Sequence, residues 1–169
     1  PDGNLWDIDD PYLYNVTAKL QRRNEVYDEI ACDVGVRTFS CDPNKGFILN
    51  GKPTPLRGVS RHQDRLYSGN ALSREEHYED ACLIKELGAN TIRLAHYQHS
   101  QDFYDACDQL GFIIWAEIPF ISVFKPAPEA HQNCISQMTE LIIQNYNHPS
   151  ICFWGLSNEI LIGGISEQL

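Results

Sequence analysis

Asn147-His148-Pro149-Ser150-Ile151-Cys152-Phe153-Trp154-Gly155-Leu156-Ser157-Asn158-Glu159 is the stretch on which the reading of this chain turns. Ile151 to Trp154 is an apolar run of the length of one strand buried on both faces. His148-Pro149 halts any helix before it, because the residue preceding a proline avoids the helical region. Asn158 and Glu159 then fall where the strand ends. An amide beside a carboxylate at the C-terminal end of a parallel strand is where α/β barrels and open α/β sheets hold their chemistry. Taken alone, the pair also fits a helix start, with Asn158 as cap and Glu159 in the first turn.

Upstream of this stretch the chain alternates strands and helices. Leu56 to Val59 reads as a short strand. Ser73 caps a helix running to about Leu87, with Glu76 completing a capping box and Gly88 ending it. Tyr78, Ala81, Cys82, Ile84 and Leu87 form the stripe expected to face the core. Thr91 to Ala95 is a strand, Gln101 to Leu110 a helix ended by Gly111, and Phe112 to Trp115 a strand with Glu117 at its end. About His131 to Tyr146 is a third helix, and Ile151 to Leu156 the fourth strand. A β-α-β-α-β-α-β order implies a parallel sheet with right-handed crossovers. Four such strands make the first half of a (β/α)8 TIM barrel. An open doubly wound sheet is the alternative, but no Gly-rich phosphate loop follows any strand.

The first forty residues differ. Tyr12 to Leu20 alternates as a half-buried strand, Gln21 to Asp28 reads as a polar turn, and Glu29 to Phe39 as a second strand with Gly35 as a bulge. Two strands cannot bury a face alone, so residues 1–40 are expected to be the last strands of a β-sandwich and residues 41–169 a truncated barrel. Phe47 to Pro53 adds a hairpin turning at Asn50-Gly51. The chain opens and closes in mid-pattern, the tail from Ile160 to Leu169 bringing no closing element, and so reads as a piece of a longer protein.

Composition narrows the class. Of 169 residues, 43% are hydrophobic, and no apolar run approaches a membrane span. A net charge of -10 argues against a nucleic-acid partner, which needs clustered Lys and Arg. The six cysteines contain no Cys-x-x-Cys pair, so free, mostly buried thiols are expected rather than zinc, with a weak lean toward a reducing compartment. Cytoplasm and periplasm both stay open. His77, His99 and His131 lack partners at ligand spacing and read as solvated surface residues.

The strand ends of one sheet lie on one face, and here they carry His62, Arg93 with His96, Glu117, and Asn158 with Glu159. Asn147-His148-Pro149-Ser150, Trp154 and Asn158-Glu159 resemble a signature of the family-2 glycoside hydrolases, the β-galactosidase and β-glucuronidase group. Arg57-Gly58-Val59-Ser60-Arg61-His62 resembles the family's Arg-Gly-Val-Asn-x-His stretch, with Ser60 in place of Asn. Asn90 to Tyr97, followed by Phe103-Tyr104 and Cys107-Asp108, resembles its other signature, with Leu94 and Gln98 as departures. The resemblance implies an immunoglobulin-like sandwich ahead of a TIM barrel.

It also implies retaining hydrolysis of a β-glycoside by two carboxyls about 5–5.5 Å apart. Glu159 would be the acid/base, Asn158 would bind the sugar, His62 and His96 would contact its hydroxyls, Arg93 would support the nucleophile and Glu117 would shape the substrate site. The nucleophile would lie in the absent barrel half, leaving this chain inactive alone. No cofactor is expected, and no magnesium site in Ile118 to Val123. Phe103 to Asp108 favours a galactoside substrate over a glucuronide; a non-catalytic carbohydrate-binding module is the reading from another class. Exposed barrel edges predict a homo-oligomer.

Overall fold

The computed structural model describes residues 3–122 and 127–160; the tail from Leu161 and Val123 of the expected metal-free loop lie outside them. The described residues form three sheets. Strands β1 (Tyr14–Arg22) and β2 (Glu25–Val34) make an antiparallel hairpin. Strands β3 (Phe39–Asp42), β4 (Gly46–Leu49) and β5 (Lys52–Pro53) make a small antiparallel sheet. Four parallel strands follow: β6 (Gly58–Arg61), β7 (Thr91–Leu94), β8 (Ile113–Glu117) and β9 (Ile151–Gly155). Helices α1 (Arg74–Glu86), α2 (Gln101–Leu110) and α3 (Pro128–Asn145) connect them.

The parallel strands lie in sequence order, β6-β7-β8-β9. Each crossover therefore steps one place in the same direction. A doubly wound sheet reverses its order at a switch point; a barrel does not. This is the first half of an α/β barrel.

Local chemistry accounts for several element ends. Ser73 and Glu76 form the full capping box on α1, and Gly111 ends α2 in the left-handed region at φ 72. The β4–β5 turn has Asn50 at φ 50 and Gly51 at φ 78, the two positive values a type I′ turn requires.

Several expectations need correcting. The polar stretch 21–28 is mostly strand; only Arg23-Asn24 turn, with Arg23 at φ 55, and the irregularity lies at Leu20/Gln21 rather than Gly35. Charged side chains hid the strand because the hairpin wears them outward, as in the Lys19–Glu29 ion pair at 3.0 Å. Gly35 lies just beyond β2 for a steric reason: a Cβ there would come within 2.6 Å of Pro149. The first barrel strand starts at Gly58, two residues later than Leu56, which brings Arg61 into it. Helix α1 is also rotated. It buries His77 and Ala81 and leaves Tyr78 and Leu87 exposed, because Arg61 beneath it draws polar partners inward.

Two cores result. Ile92, Leu94, Phe103, Phe112, Ile114 and Leu141 fill the space between the parallel sheet and its helices. Trp6, Phe47, Leu49, Ile113 and Cys152 form the second, against the starts of β8 and β9. Trp6 Nε1 donates to the Asp108 carbonyl at 2.8 Å, and Arg37 holds the Pro149 and Ile151 carbonyls, fastening the N-terminal segment to that end of the sheet. The opposite, C-terminal end stays open. The β1–β2 hairpin leaves Val16, Leu20 and Ile30 exposed, the apolar face that a sandwich covers with its second sheet.

Candidate active site

At the open end of the sheet, Glu117 ends β8 and is 0% exposed. Arg93, on the neighbouring strand, reaches up to it: Nε donates to Oε2 at 3.1 Å and Nη2 to Oε1 at 3.0 Å. His96 Nδ1 lies 2.8 Å from the same Oε1. A carboxylate stripped of water requires such partners, since burying a charge unpaired is costly. Glu117, expected to shape the substrate site, is itself buried, with both oxygens taken up by Arg93 and His96.

Arg93 Nη2 also donates to Asn158 Oδ1 at 2.9 Å. Fixing that oxygen as acceptor turns the amide NH2 of Asn158 to other partners. The Asn158 backbone is laced to the loop after β8, its N–H donating to the Phe120 carbonyl at 2.8 Å and its carbonyl accepting from Ser122 at 3.0 Å. Glu159, next in the chain, is exposed and has φ 56, a left-handed conformation uncommon outside glycine. It makes no hydrogen bond or ion pair among the described residues.

Gly155 has a packing reason of its own. It pairs with Glu117 across β8–β9, and a Cβ there would sit 2.6 Å from the Glu117 Cβ and 2.1 Å from Trp115 Nε1. The last turn of β9 is thus a glycine so that the buried carboxylate fits beside it.

His62, following β6, is exposed, and its ring meets His96 edge to face with centroids 5.2 Å apart. The structure therefore gathers Arg93, His96, Glu117 and Asn158 into one bonded network, with His62 against its rim and Glu159 beside it. Sequence reasoning did not single out Tyr97, whose hydroxyl lies 3.3 Å from His62 Nδ1. It also misplaced two histidines. His77 and His99 are 2% and 3% exposed, not solvated, because both face the buried Arg61 guanidinium. Burial, with Arg61 adding to it, lowers the pKa of each, that of His99 to about 3. His131 is exposed, as expected.

Among the described residues, Asp105, Asp108 and His148 bring ligand atoms within 4.8 Å of one another. They sit toward the start of β9, away from the open face, and are already engaged structurally. His148 Nδ1 lies 2.6 Å from Asp108 Oδ2, and Asp108 Oδ1 accepts from the Ser150 N–H at 3.1 Å. All six cysteines are free; Cys107 and Cys152 are buried, while Cys32 and Cys41 are exposed.

Comparison with known proteins matches residues 43–168 to the family model "Glycosyl hydrolases family 2, TIM barrel domain" and residues 1–37 to "Glycosyl hydrolases family 2". A beta-glucuronidase of Bacteroides fragilis is 46% identical over 164 residues, covering 92% of this chain and 24% of that protein. The beta-galactosidase BoGH2A of Bacteroides ovatus is 35% identical over 164 residues, covering 93% of this chain and 19% of that protein. A crystal structure of an FMN-binding beta-glucuronidase from Facaelibacterium prausnitzii L2-6 superposes with a TM-score of 0.97 at 69% identity, covering 99% of this chain and 26% of that one. The chain thus spans about a quarter or less of the length of these relatives.

Proposed function

The chain belongs to the glycosyl hydrolases family 2, and from that premise we propose that it is the acid/base-bearing part of a retaining β-glucuronidase. The observation that carries the reading is the delivery of Asn158 and Glu159 together past β9, with Asn158 tied by Arg93 to a fully buried Glu117. Glu159 protonates the leaving oxygen and then takes a proton from the attacking water. Its exposure suits a group that must exchange protons in both steps. Asn158 offers its amide NH2 to a sugar hydroxyl, and His96 and His62 offer ring nitrogens on the same face.

Glu117 is not the nucleophile in this account. Its oxygens are committed to Arg93 and His96, so it positions those two side chains. The second catalytic carboxylate comes from outside these residues, and the chain alone binds sugar without turning it over. The division into a sandwich portion, 1–40, and a barrel portion, 41–169, belongs to the same proposal; the separate family matches at 1–37 and 43–168 support it. Self-association of the chain belongs to it too, since among the described residues β6 and β9 each offer an unpaired edge in the parallel sheet. A single monomeric species in sedimentation over a wide concentration range would refute that last part.

The sugar is a glucuronide rather than the galactoside that Phe103 to Asp108 favoured. The 46% and 69% identical proteins are named beta-glucuronidases, while the named beta-galactosidase BoGH2A is 35% identical. The flavin in the name of the 69% identical structure is not carried over, because acid/base hydrolysis transfers no electrons and the chain covers 26% of that protein. The test is kcat/KM of the full-length protein on p-nitrophenyl β-glucuronide and β-galactoside. One charge-assisted contact to the sugar carboxylate should give about a 10- to 100-fold preference for the glucuronide. Preference for the galactoside would refute the choice of sugar.

A further inference from the structure

Arg61, at the end of β6, is 6% exposed, and its guanidinium lies 3.8 Å from the Phe103 ring centre. Asp80 accepts from its Nε at 3.1 Å and its Nη2 at 2.5 Å, supplying the buried charge it requires. Nη1 of the same guanidinium is 3.2 Å from His99 Nδ1. A guanidinium can only donate, so Nδ1 of His99 accepts. On its other side, Nε2 of His99 lies 3.2 Å from the Ala95 carbonyl, which can only accept, so Nε2 carries the proton. The two partners fix one neutral tautomer.

Both routes out of this imidazole lead to the site. The Ala95 backbone is held on both sides, its carbonyl by His99 and its N–H by the Arg61 carbonyl at 3.0 Å. The next residue is His96, whose Nδ1 meets Glu117. On the other route, the His99 ring packs on Tyr97 with centroids 5.2 Å apart, and the Tyr97 hydroxyl faces His62 Nδ1 at 3.3 Å. It also accepts from the Gln63 N–H at 3.4 Å.

We infer that His99 is a positioning residue for the glycosidase site, setting the sugar-facing rings of His96 and His62 through the Ala95 carbonyl and the Tyr97 ring. The inference rests on the proposed hydrolytic function. His99 never touches substrate: it lies behind the two rings, wedged among Arg61, Phe103 and Tyr97. With its pKa pushed down to about 3 by burial, it remains uncharged at neutral pH and its link to Arg61 does not titrate there. A histidine merely filling core space needs neither a matched donor and acceptor nor an outlet into the site.

The test is made on the full-length protein with His99→Leu, which fills the space without the two hydrogen bonds, and His99→Gln, whose amide offers an acceptor and a donor. His99→Leu should lower kcat/KM on p-nitrophenyl β-glucuronide about a hundredfold, with kcat falling in parallel, and His99→Gln should recover to within about tenfold of wild type. A crystal structure of His99→Leu should show His96 out of hydrogen-bond reach of Glu117 while Arg93 still holds it. That structural arm decides the matter even if the wild-type protein cleaves no glycoside, an outcome that would refute the hydrolytic reading alone. Unmoved His96 and His62 with unchanged kcat/KM in His99→Leu would overturn the inference. Should the leucine variant not fold, His99→Asn decides, its shorter side chain being unable to span Arg61 and Ala95 together. Lost activity with a displaced His96 upholds the inference; wild-type kcat/KM overturns it.

Discussion

Replacing Arg93 with methionine would strand a carboxylate in the interior. Glu117 is 0% exposed and receives contacts at 3.1, 3.0 and 2.8 Å, of which Arg93 supplies the first two. Arg93→Met leaves His96 as the remaining side-chain partner among the described residues and also frees Asn158 Oδ1. Removing one partner of a buried charge pair costs about 3–5 kcal/mol. Because the Arg93 side chain is 33% exposed, water relieves part of the loss, which places the expected cost near 3 kcal/mol. Glu117→Gln, which keeps the shape and removes the charge, should cost about 1.5–3 kcal/mol. The double variant should then be less destabilised than the sum of the singles, by about 1–3 kcal/mol. Urea unfolding followed by tryptophan fluorescence reads all three, since the Arg93 guanidinium lies 5.8 Å from the Trp115 ring centre. A cost below about 0.5 kcal/mol for Arg93→Met, typical of inconsequential surface changes, or strictly additive effects would refute the reasoning.

Two further predictions concern the same end of the sheet. Gly155→Ala should destabilise the chain by about 1–3 kcal/mol and loosen Glu117, because Trp115 can swing aside but the Glu117 Cβ at 2.6 Å is fixed by strand pairing; an alanine variant with the wild-type urea midpoint would contradict this. Stability should also depend on pH through His99 and His77. His99 is held near 3 and His77 is lowered, both chiefly by burial, so His99 stays uncharged in the fold until well below the ordinary value of 6.5 and His77 charges in the fold only below it. The unfolded chain takes up those protons near 6.5, so unfolding binds protons and stability falls as pH drops from 6.5 toward 3. The slope is at most about 1.4 kcal/mol per pH unit for each ring. Thermal midpoints at pH 8, 6.5 and 5 should show the fall beginning below 6.5 and lessened in His99→Gln; equal slopes in the two proteins would count against it.

The barrel order was legible because its signals are local. Ser73 with Glu76, Gly88, Gly111 and Asn50-Gly51 mark element ends by backbone chemistry that needs no tertiary context, and Gln101–Leu110 agrees with the structure at both ends. The strand ends were legible for the same reason. Missed features depended on what lies across a contact. Periodicity assigns polar residues to the surface, so His77 and His99 were read outward when they meet a buried Arg61 inside. A faint signal existed: His77 and Asp80, three apart on α1, share a helical face that both turn toward Arg61. Glu117 was identified as a strand-end carboxylate but not as buried, because its partner Arg93 stands 24 residues away in the chain and beside it only in the sheet. The strand over 25–28 was lost to its charges, which a two-stranded hairpin carries outward.

The role of Glu159 is the claim on which the rest depends, and leaving-group dependence tests it most directly. In the full-length protein, Glu159→Ala should slow hydrolysis of a phenyl β-glucuronide, whose leaving oxygen needs a proton, by about 100- to 10,000-fold. A dinitrophenyl β-glucuronide needs no such help, so it should still release its aglycone in a rapid first turnover, with added azide restoring the later ones in place of base-activated water. Equal loss on both substrates, without a burst and without azide rescue, would contradict the assignment of Glu159 as the acid/base.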